Sequence, residues 1–294
     1  MPSKEQRQRA YIRAIRDLIE RRGALEGAEV REARKLLKNV QKAVSAELRG
    51  APTEFTEEWG ARMGRALDGA FGEFAAKYGK SVSAAAGKTA EEAAEGLARA
   101  VKGLGLEVGP LPRISLAQVE AAQAVTVDWI KSVSAERAAK VAGQIRTAML
   151  GGMTPSDLIN AIVPSVKGSK TLREALNAAE MIARTQLNQG NQLGGQLRMA
   201  QMARKADIQK QWLASFVQRQ AHIDADGQTV PVDKPFIVDK EPLMFPADPA
   251  GSPGNVINCG CVSVPYVPAL EEATREIVQA QACLTHGRPA ARAA

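Results

Sequence analysis

Apolar residues recur every three to four positions over the first two-thirds of the chain, the period of a helix with one buried stripe. Tyr11, Ile12, Ile15, Leu18 and Ile19 form the first stripe. Gly23 and Gly27 loosen the pattern, so a second helix is expected from about Glu29 to Leu48, before a break at Gly50-Ala51-Pro52. Thr53 is placed to cap the next helix. There Phe55, Trp59, Met63, Leu67, Phe71 and Phe74 fall on one face. Residues 81–105 are rich in Ala, Gly and Ser and predict a weaker helix with small-residue contacts. Residues 103–113 read as a linker. Ser115 is expected to cap a helix through Trp129, and Ser134 another reaching about Leu150, with Gly151-Gly152 as the stop. Thr154-Pro155-Ser156-Asp157 is a start signal. Thr171-Leu172-Arg173-Glu174 is a capping box opening a long helix to roughly Arg204.

The texture changes after about Lys210. Eight prolines follow between Pro231 and Pro268, and helical periodicity ends. Gln228-Thr229-Val230 and Cys261-Val262-Ser263-Val264 are short β-prone pieces. Asp226-Gly227 is a tight-turn signal, expected to close a hairpin, because glycine accepts positive φ. One more helix is expected from Leu270 to about Cys283, then a polar tail from Gly287 to Ala294. The predicted fold is mainly α: a long helical amino-terminal region followed by a small, loop-rich α+β carboxy-terminal module. The expected blocks are 1–110 (helical, basic), 111–205 (helical, with the long helix), 206–268 (the α+β module) and 269–294.

Composition narrows the function classes. The 294 residues are 45% hydrophobic and 24% charged, too apolar for a disordered chain. Aromatics are 4%, which disfavours an all-β sandwich, and three cysteines make no disulfide framework. No stretch approaches the roughly 18 apolar residues of a spanning helix, and Met1 to Arg22 lacks a signal-peptide pattern. A soluble protein made in a cytoplasm is expected. The net charge is +7, and residues 1–50 carry +6 of it, from thirteen Lys or Arg against seven Asp or Glu. That basic region suits phosphates or an acidic partner, or forms a salt-bridged solvated face.

The densest set of unusual residues lies between Ala183 and Cys261. Cys259 and Cys261, with one residue between them, would point to one face of a strand. With His222 and an aspartate, Asp224 or Asp226, they could supply four zinc ligands. The competing readings are buried thiols packed beside a hydrogen-bonded histidine, and a catalytic Cys–His pair, for which nothing supplies an oxyanion hole. A Cys259–Cys261 disulfide is disfavoured by geometry. Phosphate-loop, zinc-protease, serine-hydrolase and dinucleotide fingerprints are absent from the sequence.

The ordered set reads Ala183-Arg184-Thr185 with Asn188, then Trp212, then Arg219-x-x-His222 and Asp226-Gly227. Phe236, Pro246-Ala247-Asp248-Pro249 and Asn258-Cys259-Gly260-Cys261 follow. This resembles the Mu-F-like phage head morphogenesis family of minor head proteins, over about residues 170–268. Gly260 stands where the family has Arg. Ser215 and Val217 replace an expected charged pair, and the Trp-to-His spacing is about two residues shorter. The resemblance implies a non-enzymatic protein of the virion head interior, assembled in the host cytoplasm. It would bind near the portal and aid procapsid assembly or DNA ejection. The implied partners are portal, major capsid or scaffold protein, and packaged DNA. Arg184, Thr185, Asn188, Trp212 and Arg219 are the motif positions expected to serve partner or fold. His222, Cys259, Cys261 and Asp226 are the candidate metal set; no cofactor is expected apart from the zinc that this set could hold. The alternatives are a zinc-dependent nucleic-acid-binding module and a toxin-related enzyme.

Overall fold

The computed structural model describes residues 3–50, 52, 56–150, 170–215 and 219–268. Four long helices lead: α1 (Lys4–Arg49), α2 (Glu57–Gly103), α3 (Leu116–Leu150) and α4 (Lys170–Ala203). A short-element region follows: β1 (Gln209–Leu213), α5 (Gln220–Asp224), β2 (Thr229–Pro231), β3 (Phe236–Val238), β4 (Glu241–Leu243), α6 (Pro253–Val256) and β5 (Val262–Tyr266). The protein is mainly α with a small α+β region at the carboxy-terminal side, as the hydrophobic pattern predicts. Among the described residues no helix is long and apolar enough to cross a membrane.

Several predicted breaks are absent. α1 runs through Gly23 and Gly27 without interruption. A Cβ on Gly23 would meet nothing within 4 Å. An open-surface glycine costs a helix about 1 kcal/mol and does not stop one whose flanking turns are buried. α3 likewise runs through Ser134, which is buried rather than a cap. Ile130, Ser134, Ala138 and Val141 share one buried stripe, and that period carries the helix onward. α2 absorbs the Ala-rich stretch whole. Its first turn is capped by Thr56, whose hydroxyl accepts the Trp59 N–H at 3.2 Å. Ser115 accepts the Gln118 N–H at 3.4 Å, the expected cap of α3. The expected cap at Thr53, the Thr154 start signal and the helix from Leu270 lie outside the described residues.

The chain forms two compact units. One comprises 26–84 and 123–183, the other 1–25, 85–122 and 184–294. In the first, Trp59, Met63, Leu67 and Phe71 are at most 2% exposed, the face that the spacing of four predicts. Phe74 and Tyr78 stack at 5.4 Å, and the Tyr78 hydroxyl donates to the Ala179 carbonyl at 2.8 Å, joining α2 to α4. Glu174 of α4 meets Arg137 at 3.1 Å and Lys140 at 2.5 Å, both on α3.

In the second unit, α2 and α4 meet along small residues. A Cβ on Gly190 would lie 2.4 Å from the Ala86 carbonyl oxygen, and one on Gly194 2.2 Å from that of Ala90. Glycines four apart on α4 face alanines four apart on α2, so the two backbones approach closely. β1 is the centre of an antiparallel sheet ordered β2-β1-β5, with Lys210↔Val230 and Trp212↔Ser263 in register. The alternation of a strand sends Leu213 to one face and Trp212 to the other. Leu213, Val262 and Val264 join Tyr11, Leu97, Met199 and Met202 in a core with the helices. Trp212, Phe236, Val238, Leu243, Cys259 and Cys261 form a second core on the opposite face. β3 and β4 pair as a separate two-stranded ribbon.

Candidate metal centre

Cys259 and Cys261 sit where the chain enters β5. Their separation of two residues puts both thiols on the Trp212 side of the sheet, away from Val262 and Val264. The approach is made by Asn258 at φ 56°, a left-handed position that asparagine tolerates. Its N–H donates to the Thr185 hydroxyl at 3.0 Å, so α4 holds the turn. The three carbonyls of the Cys-Gly-Cys segment are all taken from the helix side. Asn188 donates its amide to Cys259 O at 2.8 Å and to Cys261 O at 3.3 Å, and Arg22 of α1 donates to Gly260 O at 3.2 Å. Arg22 also donates to the Asn188 side-chain oxygen. With its carbonyls drawn one way, the segment turns its sulfurs the other.

His222 reaches those sulfurs from α5. Its Nδ1 lies 3.4 Å from Cys261 Sγ and 3.7 Å from Cys259 Sγ. All three side chains are fully buried, and their donor atoms fall within 4.8 Å of one another. Trp212 packs edge-on against the imidazole at 5.7 Å, and Phe236 edge-on against Trp212 at 5.4 Å. Arg219 donates to Ile257 O, tying the start of α5 to the turn after α6.

The far nitrogen of His222 decides the tautomer. Nε2 lies 3.2 Å from Asn255 Oδ1. The Asn255 amide nitrogen donates to Glu241 Oε2 at 2.9 Å and faces Val238 O at 3.4 Å, both acceptors, so the amide has one sensible orientation. Nε2 therefore carries the proton and donates it, and Nδ1 presents a bare lone pair to the two sulfurs. Glu241 is held below the ordinary carboxylate range, first by the Asn255 amide and then by the Ser252 N–H, and so stays an anionic acceptor. The thiols differ from each other. A hydrogen bond from Cys259, then the Ser215 N–H, pull the Cys261 thiol down, while Cys261 and burial push Cys259 up. A buried His–Cys–Cys set of this kind could bind a metal ion.

Asp226, expected as a fourth ligand, is not part of the set. Its side chain is exposed, and Oδ1 accepts the Ala214 N–H at 2.7 Å, closing the end of β1 onto the turn. Gly227 follows at φ 76°, the turn that the Asp-Gly pair predicts, although it links α5 to β2 rather than closing a two-residue hairpin. Asp224 is also exposed and accepts from Gln220. Of the five motif positions expected to serve partner or fold, Thr185, Asn188, Trp212 and Arg219 turn inward and hold the site, whereas Arg184 is exposed on α4. Arg22 and Asn255 join the site without a sequence motif to mark them. Arg22 carries no local signal, since only folding brings α1 to Gly260. Asn255 stands close before the Asn258 turn and could have been suspected as a polar residue among apolar ones.

Comparison with known proteins brought out no matching family model, curated relative or solved structure.

Proposed function

We propose that the chain is a structural, non-enzymatic protein of a tailed-phage head, seated near the portal inside the head and aiding procapsid assembly or DNA ejection. The observation that supports this reading is convergence. The motifs that carry the resemblance lie apart in sequence. Yet Thr185, Asn188, Trp212, Arg219, His222, Cys259 and Cys261 meet in one region, through mutual hydrogen bonds and ring contacts. Letters matched by accident would scatter over surface and core. In this reading the carboxy-terminal module is the anchor and the long helices bind the portal, capsid or scaffold partner. Arg9, Arg13 and Arg16 are exposed on α1 at spacings of four and three, an arrangement suited to phosphates of packaged DNA.

Co-expression with the portal protein of the same phage, read by size-exclusion chromatography, tests the head role. Co-elution in a fixed ratio is expected, and clean separation refutes the portal as partner. Charge-neutral substitution of Arg9, Arg13 and Arg16, with Arg7, should weaken DNA retention in a low-salt gel shift, and no change there removes DNA as the partner of that face. A second reading, favoured by the buried His222–Cys259–Cys261 set, is a zinc-dependent nucleic-acid-binding module. It requires that chelation abolish the gel shift.

A further inference from the structure

We propose that His222 Nδ1, Cys259 Sγ and Cys261 Sγ bind one zinc ion, with a fourth position open to water or an exchangeable ligand. This holds whichever role the protein plays, since it rests on the three side chains and the groups around them.

The two nitrogen–sulfur separations are those of a coordination shell. In tetrahedral zinc, a sulfur at about 2.3 Å and a nitrogen at about 2.0–2.1 Å from the metal stand about 3.6 Å apart. The two sulfur–nitrogen separations here are 3.4 and 3.7 Å. The histidine is set in the ligating tautomer before any metal arrives. Glu241 orients Asn255, Asn255 takes the Nε2 proton, and the Nδ1 lone pair is left for an electrophile. Ligating histidines have this second shell, a proton on the far nitrogen held by an oxygen acceptor. The Ser215 N–H, 3.5 Å from Cys261 Sγ, is the donor a bound thiolate takes. The backbone is committed too. Asn188 and Arg22 hold the three carbonyls of Cys259, Gly260 and Cys261, so the sulfurs are fixed in place rather than gathered on binding.

The donor set selects the ion. Two thiolates with one imidazole suit zinc and exclude magnesium or calcium, which take oxygen ligands. Among the described residues no further His, Cys, Asp or Glu brings an atom into the cluster to fill the fourth vertex. An open position of this kind takes water.

The test uses the full chain, purified without a histidine tag under reducing conditions. Elemental analysis should find one zinc per chain. Replacement by Co2+ should produce thiolate-to-cobalt charge-transfer absorption in the near ultraviolet. The double variant Cys259→Ala/Cys261→Ala should lose both, while Cys283→Ser and His286→Gln keep them. If the double variant does not fold, the Co2+ spectrum of the unmodified chain and its 15N-detected histidine resonances still decide. A metal-shifted Nδ1 with protonated Nε2 is expected for His222. Asn255→Leu should weaken zinc about 10–100-fold and move the His222 tautomer signal, which a merely structural asparagine would leave in place. A folded, reduced chain that carries no zinc and gives no charge-transfer band with Co2+ overturns the assignment. So does loss of the metal in Cys283→Ser alone.

Discussion

Replacing Gly194 by alanine tests the helix seam at its tightest point. The added Cβ would lie 2.2 Å from Ala90 O, 2.5 Å from Ala90 Cα and 2.6 Å from Ala90 C. All three are backbone atoms of α2, so no side chain can swing aside. Relief requires the two helices to separate, which strips contact from the core on either side. Overpacking of this kind costs about 1–3 kcal/mol, and a backbone clash belongs at the upper end. Alanine returns about 1 kcal/mol of helix propensity, so the net loss is about 2 kcal/mol. For a unit of this size that lowers the melting temperature by roughly 4–8 °C. Gly87→Ala is the control, three residues from Ala90 on the same helix, where a Cβ meets nothing within 4 Å. There the propensity gain stands alone and stability should rise by about 0.5–1 kcal/mol. Thermal unfolding followed by far-ultraviolet circular dichroism reads both variants. Gly194→Ala as stable as the parent, or more so, would refute the close approach of α2 and α4.

Asn188→Ala should cost about 2–4 kcal/mol, because it takes the amide donor from the buried Cys259 and Cys261 carbonyls and one acceptor from Arg22; chemical denaturation measures it. Lys210 is fully buried, its ammonium donating to Met244 O at 2.6 Å and lying over the Phe236 ring, and burial pulls it from 10.5 to about 8 despite Asp248 and Asp233. The unfolded chain then holds more protons than the folded one, so stability should rise between about pH 8 and pH 10, and Lys210→Met should abolish that slope in denaturation at stepped pH. Tyr11, fully buried and donating to Pro265 O, is pushed well up by desolvation, so its contribution is complete below about pH 10 and lost above it; Tyr11→Phe should flatten that alkaline fall.

Periodicity alone determines the helices of this protein. The Trp59-to-Phe74 stripe and the small-residue texture of 81–105 each encode a local preference that no distant partner had to supply; the helix expected to open at Thr171 already includes Lys170 and Thr171, so Thr171 is not its cap. Chain entropy after Lys210 is likewise legible, since prolines and turn residues forbid long helices. The period of a strand also determines that Cys259 and Cys261 share a face. What periodicity overstated were the breaks at Gly23, Gly27 and Ser134. A glycine or serine within a helix costs about 1 kcal/mol or less, and burial of the turns on either side outweighs it. Only the tertiary structure decided the rest. β1, β3 and β4 exist because partners across the sheets complete their hydrogen bonds. The buried His222–Cys259–Cys261 set stops at three residues because Asp226 is spent on the Ala214 N–H, a choice made by the turn. Arg22 joins Asn188, 166 residues away, because burial leaves the Cys259–Cys261 carbonyls no water to bond, so the fold must bring them a donor.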